Sequence, residues 1–285
     1  MVDIAAKCPR AVAILSLALW PLAARAGECA PDSGSTAFVA QTAIVAQVSG
    51  ATSLKLESGE TIVLAGIMAP VAGPVADETW PPRITSRAGL DRLVTGKTVT
   101  IAKDGRRTDR YGNIVAHLFT SGDGNSEQTW VEGELIAGGL ARAAVLEAGD
   151  PCLDDMLTLE SAARSDKRGH WATGIFGDRD AGDLYALRRL HDTFQSVTGT
   201  LDHIDSTHPT PALVLKGETS KSDEGFNVEL APNGQKGKRP RSSATYESLI
   251  GKRLRVRGWI EGRAHAYLVV ADPRLIEIIE EHRPE

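Results

Sequence analysis

From Phe38 onward, apolar and polar residues alternate in short runs broken by turn residues: Phe38 to Val48, the turn Ser49-Gly50, Ser53 to Leu56, the turn Ser58-Gly59, then Thr61 to Leu64. Alternation with period two puts successive side chains on opposite faces, so these runs predict antiparallel strands joined by hairpins. The period then lengthens. In Thr85 to Val94, the residues Ala88, Leu90, Leu93 and Val94 fall largely on one helical stripe, with Thr85 or Ser86 as N-cap and Gly96 as the stop. Strands return at Thr98 to Ala102 and Asn113 to Phe119. A short helix is predicted at Trp130 to Ala137 and a longer one at Leu153 to Lys167. The longer helix opens on Asp154 and Asp155, ends on Arg164, Lys167 and Arg168, and is closed by Gly169, as the helix dipole favours.

A first unit over residues 37–176 is therefore expected, followed by a connecting helix in 177–195. In that helix Leu184, Leu187, Leu190, His191 and Phe194 line one side of Asp183 to Phe194; His191 stands alone there and reads as a core-edge residue. Strand patterns resume at Ser196 to Leu201, Leu213 to Lys216, Phe226 to Leu230, Arg253 to Ile260 and Tyr267 to Val270, which indicates a second small β-barrel over 196–282. Ala231 to Ser243, rich in Pro, Gly, Lys and Arg, reads as a loop. The fold class is a β-rich α+β arrangement.

With 285 residues, 42% hydrophobic and 24% charged, the composition excludes disorder, collagen and a multi-span membrane protein. The N-terminus alters this picture. Lys7 and Arg10 precede the apolar run Ala11 to Trp20, then Pro21 and the small-residue site Ala24-Arg25-Ala26, the pattern of a secretory signal peptide over residues 1–26. The run is shorter than the roughly 20 apolar residues of a membrane span, so no membrane anchor is expected and the protein is expected in the periplasm or secreted. A lipid anchor on Cys29 is disfavoured because Glu28 precedes it. Cleavage removes a net +2 (Lys7, Arg10, Arg25 against Asp3) from the formal −5 and leaves −7, a poor balance for a general phosphate binder. Cys8 leaves with the signal. Cys29 and Cys152 remain as an even pair, for which a disulfide is the default and metal ligation by two thiols the alternative.

The run from Val99 through Asp109-Arg110-Tyr111-Gly112-Asn113 to Phe119, followed by Leu135 to Ala141, resembles the thermonuclease (staphylococcal-nuclease-like) family. Upstream, Val48 to Thr52 and Val63 to Pro70 sit where that family has two acidic motifs, and Cys152, Glu160, Ala163-Arg164 and Gly169-His170-Trp171 resemble the end of secreted bacterial members. The resemblance spans Ala37 to Phe176 and implies a five-stranded OB-type barrel with packed helices. It also implies calcium-dependent phosphodiester cleavage, in which acidic oxygens hold the cation, a glutamate activates water and two arginines neutralise the transition state.

At each of those positions this chain departs from the pattern. One metal carboxylate falls on Ala51, the other on Met68, one phosphate arginine on Val63, the general base on Val71 and the second arginine on Asn113. Asp109, Arg110, Tyr111 and Gly112 persist, with shaping the turn as their plainest role. Hydrolysis is therefore expected to be lost, no cofactor is expected, and the old pocket is expected to be packed or open to an apolar ligand. Asp77, Glu78 and Arg83, in or beside the loop Ala72 to Arg83, are the candidates for a rebuilt calcium-dependent centre.

In the second half, Arg253, Arg255 and Arg257 share one face of an alternating strand, with Lys236, Lys238, Arg239 and Arg241 upstream; Trp259 and Tyr267 offer rings for base stacking. These are the candidate nucleic-acid contacts, against the alternative of a solvated strand face. His203, Asp205 and His208 with Asp202 are a zinc candidate, against the alternative of a Pro-flanked polar loop, which has this composition and lacks a well-spaced fourth ligand. Three functions stay open: a binding or scaffolding protein with an unknown partner, a nuclease with a rebuilt site, and a non-cleaving single-strand binder.

Overall fold

A computed structural model describes residues 29, 39–72, 77–103, 108–121, 128–207, 211–220, 224–231 and 244–279. The expected signal peptide, Lys236 to Arg241 and His208 lie outside the described residues. Among those described, no helix is long and apolar enough to cross a membrane.

The first barrel is built from β1 (Val39–Gly50), β2 (Ser53–Leu56), β3 (Thr61–Leu64), β5 (Thr98–Lys103) and β6 (Ile114–Thr120), with the short β4 (Ile67–Met68) outside it. The strands run in the order β3-β2-β1-β5-β6, and a parallel pairing of β3 with β6, Val63 opposite Val115, closes the ring. Helix α1 (Pro81–Val94) interrupts the strand sequence, and β7 (Thr129–Trp130), α2 (Val131–Ala137), β8 (Arg142–Ala143) and α3 (Leu153–Ser165) follow. The second unit holds β9 (Arg179–Asp180), α4 (Leu184–Arg189), β10 (Thr193–Asp205), β11 (Ala212–Lys216) and β12 (Phe226–Leu230). It ends with α5 (Ala244–Glu247), β13 (Arg253–Glu261), β14 (Tyr267–Val270) and β15 (Ile276–Ile278).

Its ring, β13-β14-β12-β11-β10, is closed by β10 pairing with β13, and β12 pairs with β14 in parallel. Both barrels thus close in one connectivity, first-second-third-fifth-fourth strand with the third and fifth parallel, which the sequence pattern did not reveal as a repeat. One continuous hydrophobic core runs through both, from Leu54, Ile62 and Leu118 to Val197, Leu213 and Leu254. Cys29 and Cys152 are joined as a disulfide across 123 positions, as expected.

Two helical expectations are corrected. Helix α1 begins at Pro81, with Pro81 and Pro82 in its first turn, where their missing N–H groups cost nothing. Ser86 is therefore interior, its hydroxyl donating to the Leu140 carbonyl at 2.6 Å, and is no N-cap. The expected connecting helix of 177–195 is helical only over Leu184–Arg189, capped by Asp183 accepting from Ala186 N–H at 2.9 Å. Asp192 has φ of 59°, outside helical backbone, and Thr193 and Phe194 already pair with Ile260 and Trp259 in the sheet. The second unit accordingly starts at β9, which pairs with β10.

Candidate functional site

The strands β3 and β4, the turn after β1 and the turn before β6 converge on a cleft of about 720 Å³ at the mouth of the first barrel. Val63, Met68 and Val71 are part of its wall, each half-buried, and Thr52 stands at its edge. Ala51, beside it, is 1% exposed. The Thr52 carbonyl accepts the Leu64 N–H at 2.9 Å in the chain's own barrel. A calcium ion needs six to eight oxygens; an alanine methyl and a thioether supply none, and among the described residues no group of three carboxylates converges on the cleft, so the residues present do not fit that ion.

Asn113 is committed elsewhere. Its amide Nδ2 donates to Asp109 Oδ2 at 2.8 Å, while its backbone N–H and that of Tyr111 donate to Asp109 Oδ1, both at 2.9 Å. Desolvation pushes the Asp109 carboxyl up, but these bonds, led by Asn113, and the nearby Arg110 hold it below the usual carboxylate range. Gly112, at φ 82°, completes the turn in the left-handed region that favours glycine. Arg110 lies over the Tyr111 ring at 4.8 Å, and Tyr111 is exposed.

Of the loop residues put forward for a rebuilt centre, Glu78 and Arg83 are used on each other and Asp77 on Thr79. Arg83 donates to Glu78 Oε1 and to the Pro70 carbonyl, and Asp77 accepts from the Thr79 N–H at 2.9 Å and hydroxyl at 2.7 Å. Of the three, Arg83 alone borders the cleft. Two cleft acids are likewise engaged: Asp150 accepts from Cys152 N–H at 2.9 Å and sits 3.3 Å from His117 Nε2, and Asp192 lies 2.9 Å from His191 Nδ1.

The second barrel supplies what sequence reasoning missed. Phe194 and Trp259, paired across β10 and β13 with ring centroids 6.2 Å apart, form part of the cleft wall. Trp259 thus faces the first barrel's pocket, which no local pattern signals. The arginines beside it are also relocated. Arg253, Arg255 and Arg257 share a strand face as predicted, but that face meets acids rather than open solvent. Arg253 pairs with Glu218; Arg255 with Asp178 at 2.9 Å and Glu277 at 3.1 Å; Arg257, 2% exposed, with Glu160 at 2.9 Å and Glu277 at 2.8 Å. Burial pushes Asp178 up, yet Arg164, Ser196 and Arg255 hold it below the ordinary range, so it stays ionised. Arg255 and Arg257 are therefore neutralised where the two units meet, while Arg253 pairs with Glu218 on the exposed part of the same face. Tyr267 donates to Glu261 at 3.1 Å on the exposed rim.

His203 Nδ1 lies 2.9 Å from Asp202, and Asp205 accepts from Thr207 N–H at 2.8 Å. Among the described residues, only Cys29, His117 and Cys152 bring three ligand-type atoms within 4.8 Å of one another, and the two sulfurs there are bonded together.

Residues 61–173 match the family model described as Staphylococcal nuclease homologue. The match includes Val63, Met68, Val71 and Asn113, and leaves Ala51 and the second barrel outside it. No curated protein matches the chain.

Proposed function

We propose that this chain, which carries a staphylococcal-nuclease-like domain at residues 61–173, does not hydrolyse phosphodiesters and is an exported binding module. The observation that carries the reading is that uncharged residues stand at Val63, Met68 and Val71 in the cleft wall and at Ala51 and Asn113 in the turns beside it. Losing a general base typically costs about 10²–10⁴ in rate and losing one electrostatic donor about 10²–10³. Such losses are not additive, but no unit of the machinery remains for the others to assist. The cleft, about 720 Å³, is within the range of small-molecule sites, and its aliphatic wall with Phe194 and Trp259 suits a ligand with an apolar surface.

A cleavage assay on single-stranded DNA and RNA with calcium, using disulfide-intact protein, tests this. The expected result is no cleavage above a protein-free blank. Calcium-dependent degradation abolished by a chelator, and retained through purification, overturns it.

A further inference from the structure

Where the two barrels meet, three carboxylates and three guanidinium groups form a closed network. Glu160 pairs with Arg164 at 3.0 Å and Arg257 at 2.9 Å; Asp178 pairs with Arg164 at 3.1 Å and Arg255 at 2.9 Å; Glu277 pairs with Arg255 at 3.1 Å and Arg257 at 2.8 Å. Each acid meets two arginines and each arginine two acids, so the six are neutral as a group. Two further arginines stand beside them, Arg142 and Arg179, with no carboxylate ion pair among the described residues.

Arg142 is 4% exposed, donates to the Phe194 carbonyl, and lies 5.3 Å from the ring centres of both Phe176 and Phe194. The Nε atoms of Arg142 and Arg179 are buried without a hydrogen-bond partner among the described residues. Glu160 is close enough for Arg142 to feel its charge, but its ion pairs go to Arg164 and Arg257. Burial lowers the Arg142 guanidinium to about 10, with Glu160 opposing the fall and Arg179, Arg257 and Arg164 adding to it, which leaves it charged at neutral pH. Both side chains line a cavity of about 250 Å³ whose other walls include Pro70, Trp80, Ile175 and Phe176. Val71 and Thr193 separate it from the larger cleft and border both.

We propose that this cavity is an anion site. Arg142 and Arg179 hold the oxyanion of a small molecule, a carboxylate or a phosphate monoester, whose apolar body rests against Trp80, Ile175 and Phe176. Two like charges lining one cavity repel each other, and an oxyanion between them is held by both through charge-assisted hydrogen bonds. The apolar walls add affinity for a body a bare inorganic ion lacks. This site does not rest on the loss of hydrolysis, and a cleavage assay and a binding assay on it fail independently.

Titration calorimetry of the full, disulfide-intact chain in phosphate-free, low-salt buffer tests the proposal with benzoate, phenyl phosphate and the neutral benzyl alcohol. One of the two oxyanions is expected to bind one per chain, benzyl alcohol is not, and the winning arm identifies the headgroup. Arg179→Met is expected to weaken binding by about tenfold or more. Arg142→Met is expected to abolish it while leaving the ligand-free melting temperature little changed, because the lost Phe194 carbonyl bond is offset by removal of a buried cation that has no carboxylate ion pair among the described residues; if that variant fails to fold, Arg179→Met still decides. No heat from either oxyanion at millimolar concentration, equal binding of benzyl alcohol, or unchanged affinity in Arg179→Met overturns the site.

Discussion

Replacing Arg257 with Met separates a structural arginine from a nucleic-acid contact. Methionine keeps an unbranched apolar stem, shorter than that of arginine, so the main change is the loss of a cation held by Glu160 and Glu277 and 2% exposed. Removing one partner of a buried pair costs about 3–5 kcal/mol. The lower end applies here, because each acid keeps a second partner: Glu160 retains Arg164 at 3.0 Å and the Ala143 N–H at 2.7 Å, and Glu277 retains Arg255 at 3.1 Å. About 3 kcal/mol corresponds to a fall in Tm of roughly 6–12 °C for a chain of this size. Arg253→Ala is the control, since its pair with Glu218 is largely exposed and is worth about 1 kcal/mol or less. Thermal unfolding followed by circular dichroism at pH 7 reads both variants, and anisotropy of a labelled single-stranded oligonucleotide reads any binding. If Arg257→Met moves Tm by less than about 2 °C while oligonucleotide affinity falls, the buried-network reasoning is wrong and the arginine serves nucleic acid.

Two further outcomes follow from the core. Reducing the Cys29–Cys152 bridge, which closes a loop spanning 123 positions, is expected to lower stability by about 2–5 kcal/mol, read as a lower urea midpoint with a steeper slope because the unfolded chain expands; an unchanged midpoint refutes it. Glu132 is wholly buried and accepts the Leu118 N–H at 3.1 Å; burial pushes its carboxyl up to about 7, opposed by His117 and Leu118 and reinforced by Asp150. Between the unfolded value near 4.5 and about 7 the folded state holds a proton that the unfolded chain has released, so this group's contribution to stability declines as pH rises through that window. Glu132→Gln keeps the acceptor and removes the titration; relative to wild type it should gain on the order of 2–4 kcal/mol between pH 5 and pH 8, and parallel urea midpoints at the two values refute the assignment.

The strands were legible because their signal is local. Phe226–Leu230 and Tyr267–Val270 occur where alternation put them, and the turn Asp109 to Gly112 carries its own hydrogen-bond acceptor and its own glycine. The helix boundaries were less so. Pro81 and Pro82 read as punctuation when they begin α1, and the Leu-rich side of Asp183 to Phe194 hides a break at Asp192 that pairing with β13 imposes. A hydrophobic period says that a residue is buried, not which partner buries it.

By itself, the sequence determined two things about this protein: the alternation that folds into two small barrels, and the absence of ionisable side chains at Ala51, Val63, Met68, Val71 and Asn113. Both are properties of residue identity and near neighbours. Tertiary structure decided the rest. It placed Trp259 on the first barrel's cleft, spent Arg255 and Arg257 on Asp178, Glu160 and Glu277, and left Arg142 and Arg179 around a cavity with no acid to pair with among the described residues. Charge acts through space over a few ångströms, so which arginine is neutralised depends on which distant carboxylate the fold brings alongside, and no spacing along the chain records that.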